Sequence, residues 1–523
     1  MKTRKIHLLL FFLIFSLHGF CQMENKIAKS IQSAKQANKK FVDLRSLFET
    51  HEIEKQSKYE KHIEDCQTVK LNKTKLMDLQ SIANLTTNIP YKGKVIKVEL
   101  QKIDEAFNSY EIITSSGKKY EINKNNQYHY RGIVEGENQS LVALSFYDGG
   151  VSGLLSSKNF GTININKLKN DSILIIYTDL DISNGLNSQD DCFTNSAKQN
   201  PLLNEIYSNL VVSNTLKSAS SVSEDGNHLN VYIEVDNDIY EDFGSSITNV
   251  ENYITGLFNQ VATLYANEDI FIQISEIFIW DTPDTYSANL SDGLDDFAET
   301  RNVFNGDLAL LLSYQNRDSN PNNTANAGGI AHGIGGLCVV GDDEISPHAH
   351  IALFPEFEVF PTFSRQVKVV THEMGHVLGS RHTHACVWNG NNTAIDGCGD
   401  CLESQNEPIT CNACARPAIP TEGGTIMSYC DRESVGIDFT NGFGNQPGDV
   451  IRSFIENADC LDCDITISDR NINIDVVINA CNVMIENVTI EDDANVEINS
   501  SGNIVIDNTF KTEVGTTLKC KSE

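Results

Sequence analysis

A chain of 523 residues with 40% hydrophobic and 21% charged residues is too long for one ordinary core, and about three folded units are expected. Its net charge of −31 argues against nucleic acid and anionic membrane as partners, since both demand patches of Lys and Arg. Fourteen cysteines fit an oxidising destination. The first residues read as an export signal over 1–21. Lys2, Arg4 and Lys5 give a basic start, and Leu8 to Leu17 form an apolar run broken only by Ser16. That run is shorter than the roughly 20 residues of a spanning helix. Cys21 as a lipid-anchored residue is the alternative, and bulky Phe20 before it argues against that. No later stretch has transmembrane length, so a secreted protein is expected. Loss of Cys21 leaves an odd number of cysteines.

Residues 22–215 form the next unit. From Lys26 to about Glu64 the spacing of Ile and Leu predicts a surface helix. Between Tyr91 and Lys167, within a β-rich part of about 90–180, short alternating runs predict strands separated by Gly, Asn and Ser turns. Val95, Val98 and Leu100 mark one strand, and Leu141, Ala143 and Ser145 another. The segment from Tyr130 to Leu155 carries Tyr130-Arg131-Gly132, Gly136, Ser140 and a Gly149-Gly150 turn. It resembles the propeptide domain of reprolysin-type metallopeptidases, which implies a zymogen with a mostly β pro-region.

Leu216 to Asn227 has the composition of a flexible, protease-accessible linker. The third unit, 228–462, reads as a mixed α/β (α+β) domain. His228 to Asp236 predicts a strand, and Ile247, Val250, Ile254, Leu257, Val261 and Leu264 mark one face of a helix. Ile270, Ile272 and Ile274 alternate as a strand, and Leu308 to Leu312 is a buried one. Strand, helix, strand, strand implies a twisted sheet.

His372 and His376 stand four apart, with Val367, Val370, Met374 and Val377 keeping a helical spacing around them. Two histidines at i and i+4 on one helix face can reach a single Zn²⁺. Gly379 suits a left-handed helix end, after which the chain can return His382 as a third nitrogen. Three protein ligands leave a fourth position for water, as a catalytic zinc site requires. Glu373, beside the first ligand, is placed to take that water's proton.

His372-Glu373-x-x-His376-x-x-Gly379-x-x-His382 resembles the long zinc motif of the metzincins. The resemblance implies a turn carrying Met beneath the metal, and Gly424-Thr425-Ile426-Met427-Ser428-Tyr429 stands in the right place. Met427 would then be a packed floor. Tyr429, two residues on, is similar to the astacins and serralysins, which implies a role at the metal or the developing oxyanion. The element order and Gly328-Gly329-Ile330-Ala331 running to Cys338 resemble the reprolysin/adamalysin branch. That branch usually has Asp after the third histidine, where this chain has Thr383. It also implies a Cys338–Cys460 disulfide. Gly328 to Val340 reads as an edge strand for a peptide substrate or as a Gly-rich loop. His384, His228, His332, His348 and His350 read as surface or supporting groups. Asp292, Asp295 and Asp296 suggest Ca²⁺ or a solvated acidic loop, with the loop preferred.

Cys386, Cys398, Cys401, Cys411, Cys414 and Cys430 lie in a loop-rich stretch where disulfides are expected over a zinc ribbon. Cys192 has two readings: a latency switch occupying the open zinc position, or a disulfide with Cys66. In the last unit, 463–523, Val488/Ile490, Val496/Ile498 and Ile504/Ile506 repeat at a spacing of eight. They predict a small all-β solenoid or meander, loosely similar to β-repeat modules of exported bacterial proteins, with accessory contact to a cell surface or matrix. The expected function is a secreted zinc endopeptidase acting on protein or peptide substrates, with Glu373 as general base. The alternative is an adhesive protein that keeps an idle metalloprotease fold.

Overall fold

The computed structural model describes the chain from Asn25 to Ser522 apart from internal segments, the longest being 52–62, 182–190, 211–228, 315–327, 354–362 and 400–413. The expected export signal and the Leu216–Asn227 linker lie outside the described residues.

Helix α1 (Lys26–Gln36) is capped by Asn25, whose side chain accepts from the Ala28 amide. It buries Ile27, Ala28, Ile31 and Ala34 on one face. The helix expected to run on toward Glu64 stops here. Asn38 takes a left-handed φ of 55°, and the strands Val42–Asp43, Phe48–Thr50 and Gln67–Leu71 follow. A ten-stranded, largely antiparallel sheet then extends to Leu174–Thr178, so β structure begins well before residue 90. Its core is built on Leu85, Val98, Leu100, Tyr130, Leu144 and Phe146. A short helix, α2 (Lys73–Asp78), connects two of its strands.

A second sheet holds eight strands: β1 (Glu111–Thr114), β2 (Lys119–Tyr120), β3 (Asp191–Cys192), β4 (Leu229–Val235), β5 (Ile272–Ile279), β6 (Leu308–Tyr314), β7 (Gly328–Ala331) and β8 (His348–Leu353). Their order is β3-β7-β8-β6-β4-β5-β1-β2. Strand β4 runs parallel to β5 and β6, and β8 is parallel to β6, whereas β7 is antiparallel to β8. The helices are α3 (Leu202–Asn209), α4 (Asn237–Asp242), α5 (Ile247–Asn267), α6 (Leu290–Thr300), α7 (Phe363–Val377) and α8 (Asn445–Glu456). Val250, Ile254, Leu257, Val261 and Leu264 of α5 pack into the same core as Val367, Val370, Met374 and Val377 of α7. Both edges of this sheet are taken by strands from before the linker: β1 on β5, and β3 on β7.

The tail coils in parallel. Strand 464–472 pairs with 482–490, 476–480 with 495–500, and 495–500 with 517–522. Parallel pairing excludes a meander. Ile485 pairs with Ile467 and Ile506, and Ile498 with Ile478. The spacing of eight is therefore a step between the two faces of the coil, not the register of stacked strands.

Candidate metal centre

Helix α7 ends where Gly379 adopts a φ of 94°, and the amides of Gly379 and Ser380 close on the carbonyls of His376 and Gly375. This reversal brings His382 back beside the helix. The Nε2 atoms of His372, His376 and His382 lie 3.1 Å from one another. His372 donates Nδ1–H to the Ile426 carbonyl at 2.8 Å, and His376 does the same to the Ser380 carbonyl at 2.7 Å. Those donations leave Nε2 as a bare lone pair in both rings. Acceptors facing one another at this distance cannot satisfy each other; a cation can. Burial, followed by mutual repulsion, pushes His372 and His382 well below the usual imidazole range, so the rings stay neutral. The donor set fits Zn²⁺.

Beneath the rings lies buried Met427. A Cβ on Gly375 would stand 2.7 Å from its sulfur, so the glycine inside the histidine motif lets the turn approach. Thr383, where the resemblance expects Asp, ties the third-histidine segment to that turn by its amide, which donates to the Met427 carbonyl at 3.1 Å. His384 is not a surface group. It is 5% exposed and stacks on His382 with ring centroids 5.0 Å apart.

Glu373 is 1% exposed, and burial raises its carboxyl to about 7. A Cβ on Gly329 of β7 would meet its Cγ at 2.3 Å, so only glycine lets the edge strand lie against this side chain. Tyr429 sits with its ring 4.6 Å from that of His382. The Arg432 guanidinium lies 4.2 Å over its face, and Lys368 Nζ 6.0 Å away. Lys368 also pairs with Asp431 at 2.9 Å.

The edge strand expected at Gly328 to Val340 is shorter, Gly328–Ala331, and β3 lies along it in parallel. That pairing carries Cys192 to the histidines. Its sulfur lies 3.3 Å from His376 Nε2 and 3.6 Å from Glu373 Oε2. The four ligand atoms of Cys192, His372, His376 and His382 all fall within 4.8 Å of one another. Tyr429 OH donates to the Cys192 carbonyl at 3.4 Å. The Cys66–Cys192 bridge is not formed. Sequence reasoning missed Thr194, whose hydroxyl donates to Glu373 Oε2 at 2.8 Å and accepts from the Ala331 amide at 2.8 Å. Nothing local marks that threonine. Lys368 was recoverable, standing one helical turn before His372 on the same row.

Disulfides join Cys338–Cys460, Cys386–Cys414 and Cys398–Cys430. Cys398 and Cys414 thus bond outside their own C-x-x-C pairs, which removes the ribbon reading, while Cys401 and Cys411 lie outside the described residues. Asp292, Asp295 and Asp296 stand on α6, not on a loop. Asp296 accepts from the Ser287 amide, and Asp295 lies 3.6 Å from His332. Among the described residues these carboxylates form no metal-ligand cluster. His348 bonds Ser346 and the Arg301 carbonyl, and His350 bonds Ser313 and the Leu290 carbonyl, as supporting groups. His228 lies outside the described residues. No described helix is long and apolar enough to cross a membrane.

Residues 225–441 match the Reprolysin_5 model of metallo-peptidase family M12. The human disintegrin and metalloproteinase domain-containing protein 9 is 25% identical over 309 residues, covering 55% of this chain. The chain spans only 35% of that relative's length. Metalloproteinase-II from Bacteroides fragilis is a similar solved structure at 12% identity and a TM-score of 0.33, covering 68% of this chain and 92% of its own.

Proposed function

Residues 225–441 belong to the reprolysin-like metallopeptidases of family M12, and on that premise we propose that the chain is an exported zinc endopeptidase made as a latent precursor. The observation that carries the reading is the convergence of three imidazole Nε2 atoms at 3.1 Å beside a buried carboxylate. His372, His376 and His382 are the residues that would hold the zinc. Zinc held there would supply Lewis acidity toward a scissile carbonyl and a water. Glu373 accepts the water's proton and passes it to the amine as the C–N bond breaks; hydroxyl adds to the acyl carbon. Tyr429 donates its hydroxyl to the oxygen that becomes negative. The main chain of β7 pairs with the substrate peptide.

Residues 22–215 serve as the pro-region. Cys192 fills the open position beside the histidines, its carbonyl takes the Tyr429 hydroxyl, and Thr194 occupies the base. Every group that would handle a peptide bond is thereby engaged by the chain's own segment. Processing ahead of residue 228 releases it. The coil over 463–523 is accessory and contacts a surface or matrix.

The test is Glu373→Gln in the processed enzyme. It keeps volume and helix propensity while removing the acceptor, so the variant should fold, hold about one zinc, and lose about 10²–10⁴ in peptide hydrolysis. His376→Ala should lose the metal as well, because two histidines hold zinc poorly. Hydrolysis retained by zinc-loaded Glu373→Gln would overturn the mechanism.

A further inference from the structure

Helix α5 is closed at its C-terminal end by Glu268, a carboxylate 2% exposed that takes no part in the chemistry proposed above. Arg452 of α8 donates from Nη1 to Glu268 Oε2 at 2.9 Å and to the Glu268 carbonyl at 3.2 Å, so it also serves the helix end. Burial raises the carboxyl, and Arg452 opposes that shift. A buried ion pair is costly to desolvate, and apolar side chains would join two helices as well. An apolar side chain could not, however, accept a further bond. Glu268 Oε1 accepts from the Phe443 amide at 3.1 Å.

That amide belongs to a peptide unit with a second task. The Gly442–Phe443 bond is trans, so its carbonyl points away from its N–H. The Gly442 carbonyl accepts from the Ile426 amide at 2.9 Å, and the Ile426 carbonyl accepts Nδ1–H of His372 at 2.8 Å. Three bonds in series thus lead from Glu268 to a zinc-directed imidazole. Gly442 has a φ of 54°, and a Cβ there would overlap Glu268 Oε1, so only glycine lets the carboxylate reach this peptide. The same helix end holds His372 from its other side. Tyr265 OH donates at 3.0 Å to the carbonyl of Thr371, the residue before His372. The Tyr265 ring lies 5.1 Å from that of Phe443, which is buried against Gly375 of the histidine motif.

We infer that Glu268 is a positioning residue for the metal centre. It fixes the Gly442–Phe443 plane, the plane fixes the Ile426 carbonyl, and that carbonyl fixes the ring of His372. Tilting the plane off Glu268 turns the Gly442 carbonyl off the Ile426 amide, and the turn above Met427 loses its tether. An imidazole whose Nδ1–H meets a fixed acceptor keeps Nε2 aimed and basic. This rests on the zinc reading above and is tested by metal affinity rather than hydrolysis.

Two conservative substitutions separate the two tasks of the carboxylate. Glu268→Asp keeps a charge for Arg452 but draws the oxygen back by one methylene from the Phe443 amide. Glu268→Gln keeps an oxygen at full reach and gives up the charge. Metal-stripped full-length protein is titrated with Zn²⁺ against a competing chelator, and thermal unfolding of the metal-free chain is followed alongside. Glu268→Asp should bind zinc about tenfold more weakly, the low end of what outer partners of zinc histidines contribute. Glu268→Gln should lose more thermal stability yet stay within about threefold of wild type in zinc affinity. Loaded with Co²⁺, the aspartate variant should show shifted visible bands and the glutamine variant the wild-type spectrum. Wild-type affinity and spectrum in Glu268→Asp overturn the inference. So does weakening of both variants in proportion to their lost stability, the mark of a merely structural role. Should Glu268→Asp not fold, zinc binding about tenfold weaker in Glu268→Gln still overturns it. Equal zinc affinity in wild type and His376→Ala would instead sink the zinc reading itself, and this inference with it.

Discussion

The two edges of the eight-stranded sheet are closed in different ways. At β7 the cover is two residues long, and what it brings is chemistry: a thiol, a carbonyl and a hydroxyl aimed at the histidines, Tyr429 and Glu373. At β5 the cover is a hairpin, and beside it the ten-stranded sheet packs on α5 through buried apolar side chains and bonds such as Asn259 to Ser145 Oγ. On the pro-region reading proposed above, blocking the site and anchoring the blocking segment are separate tasks. A short inhibitory strand needs little affinity of its own if a remote surface keeps it at high effective concentration.

Changes at the first edge should alter chemistry while leaving the fold intact. The largest expected effect is Tyr429→Phe in the processed enzyme, about 10²–10³ in kcat with zinc content unchanged. Normal turnover would reduce Tyr429 to packing. Next comes the uncut precursor. Cys192→Ala should raise its peptide hydrolysis above wild type only partly, because Thr194 still holds Glu373, and adding Thr194→Ala should raise it further. A fully active single variant would show that the threonine contact is idle.

The smallest expected effect lies at the second edge. Glu276 of β5 stands in register with Glu111 of β1, and burial first, then Glu111, raises its carboxyl to about 7. Arg301 and Lys119 oppose that shift, while Glu234 adds to it. A carboxyl held above its ordinary value of 4.5 favours the closed β1–β5 pairing when protonated. That contribution is complete at low pH and is lost as pH rises through about 7. Amide exchange along the β1–β5 pairing should therefore be several-fold faster, after correction for intrinsic rates, at about pH 8.5 than at about pH 6, with the difference flattened in Glu276→Gln. Equal rates in wild type at both pH values would remove Glu276 from the junction's energetics.

The zinc histidines were legible because their geometry is local: i and i+4 on a helix, then a glycine reversal. The apolar row of α5 was legible for the same reason. Its polar row was not, since Asn259 and Thr263 look like any solvated face until a second sheet covers them. Strands β1 and β3 are four and two residues long, too short for alternation to register, and their partners lie far away in sequence. Asp292, Asp295 and Asp296 misled in a smaller way: a helical row of acids looked like a loop.

The Cys338–Cys460 bridge has a practical consequence for anyone handling this protein. It closes a span of 122 residues that contains α7, the histidine motif and the Met427 turn. A single nick anywhere within that span, including a self-inflicted one, leaves both fragments covalently joined. Autolysis there would leave one band on a non-reducing gel and two on a reducing one, so apparent mass alone is a poor gauge of backbone integrity.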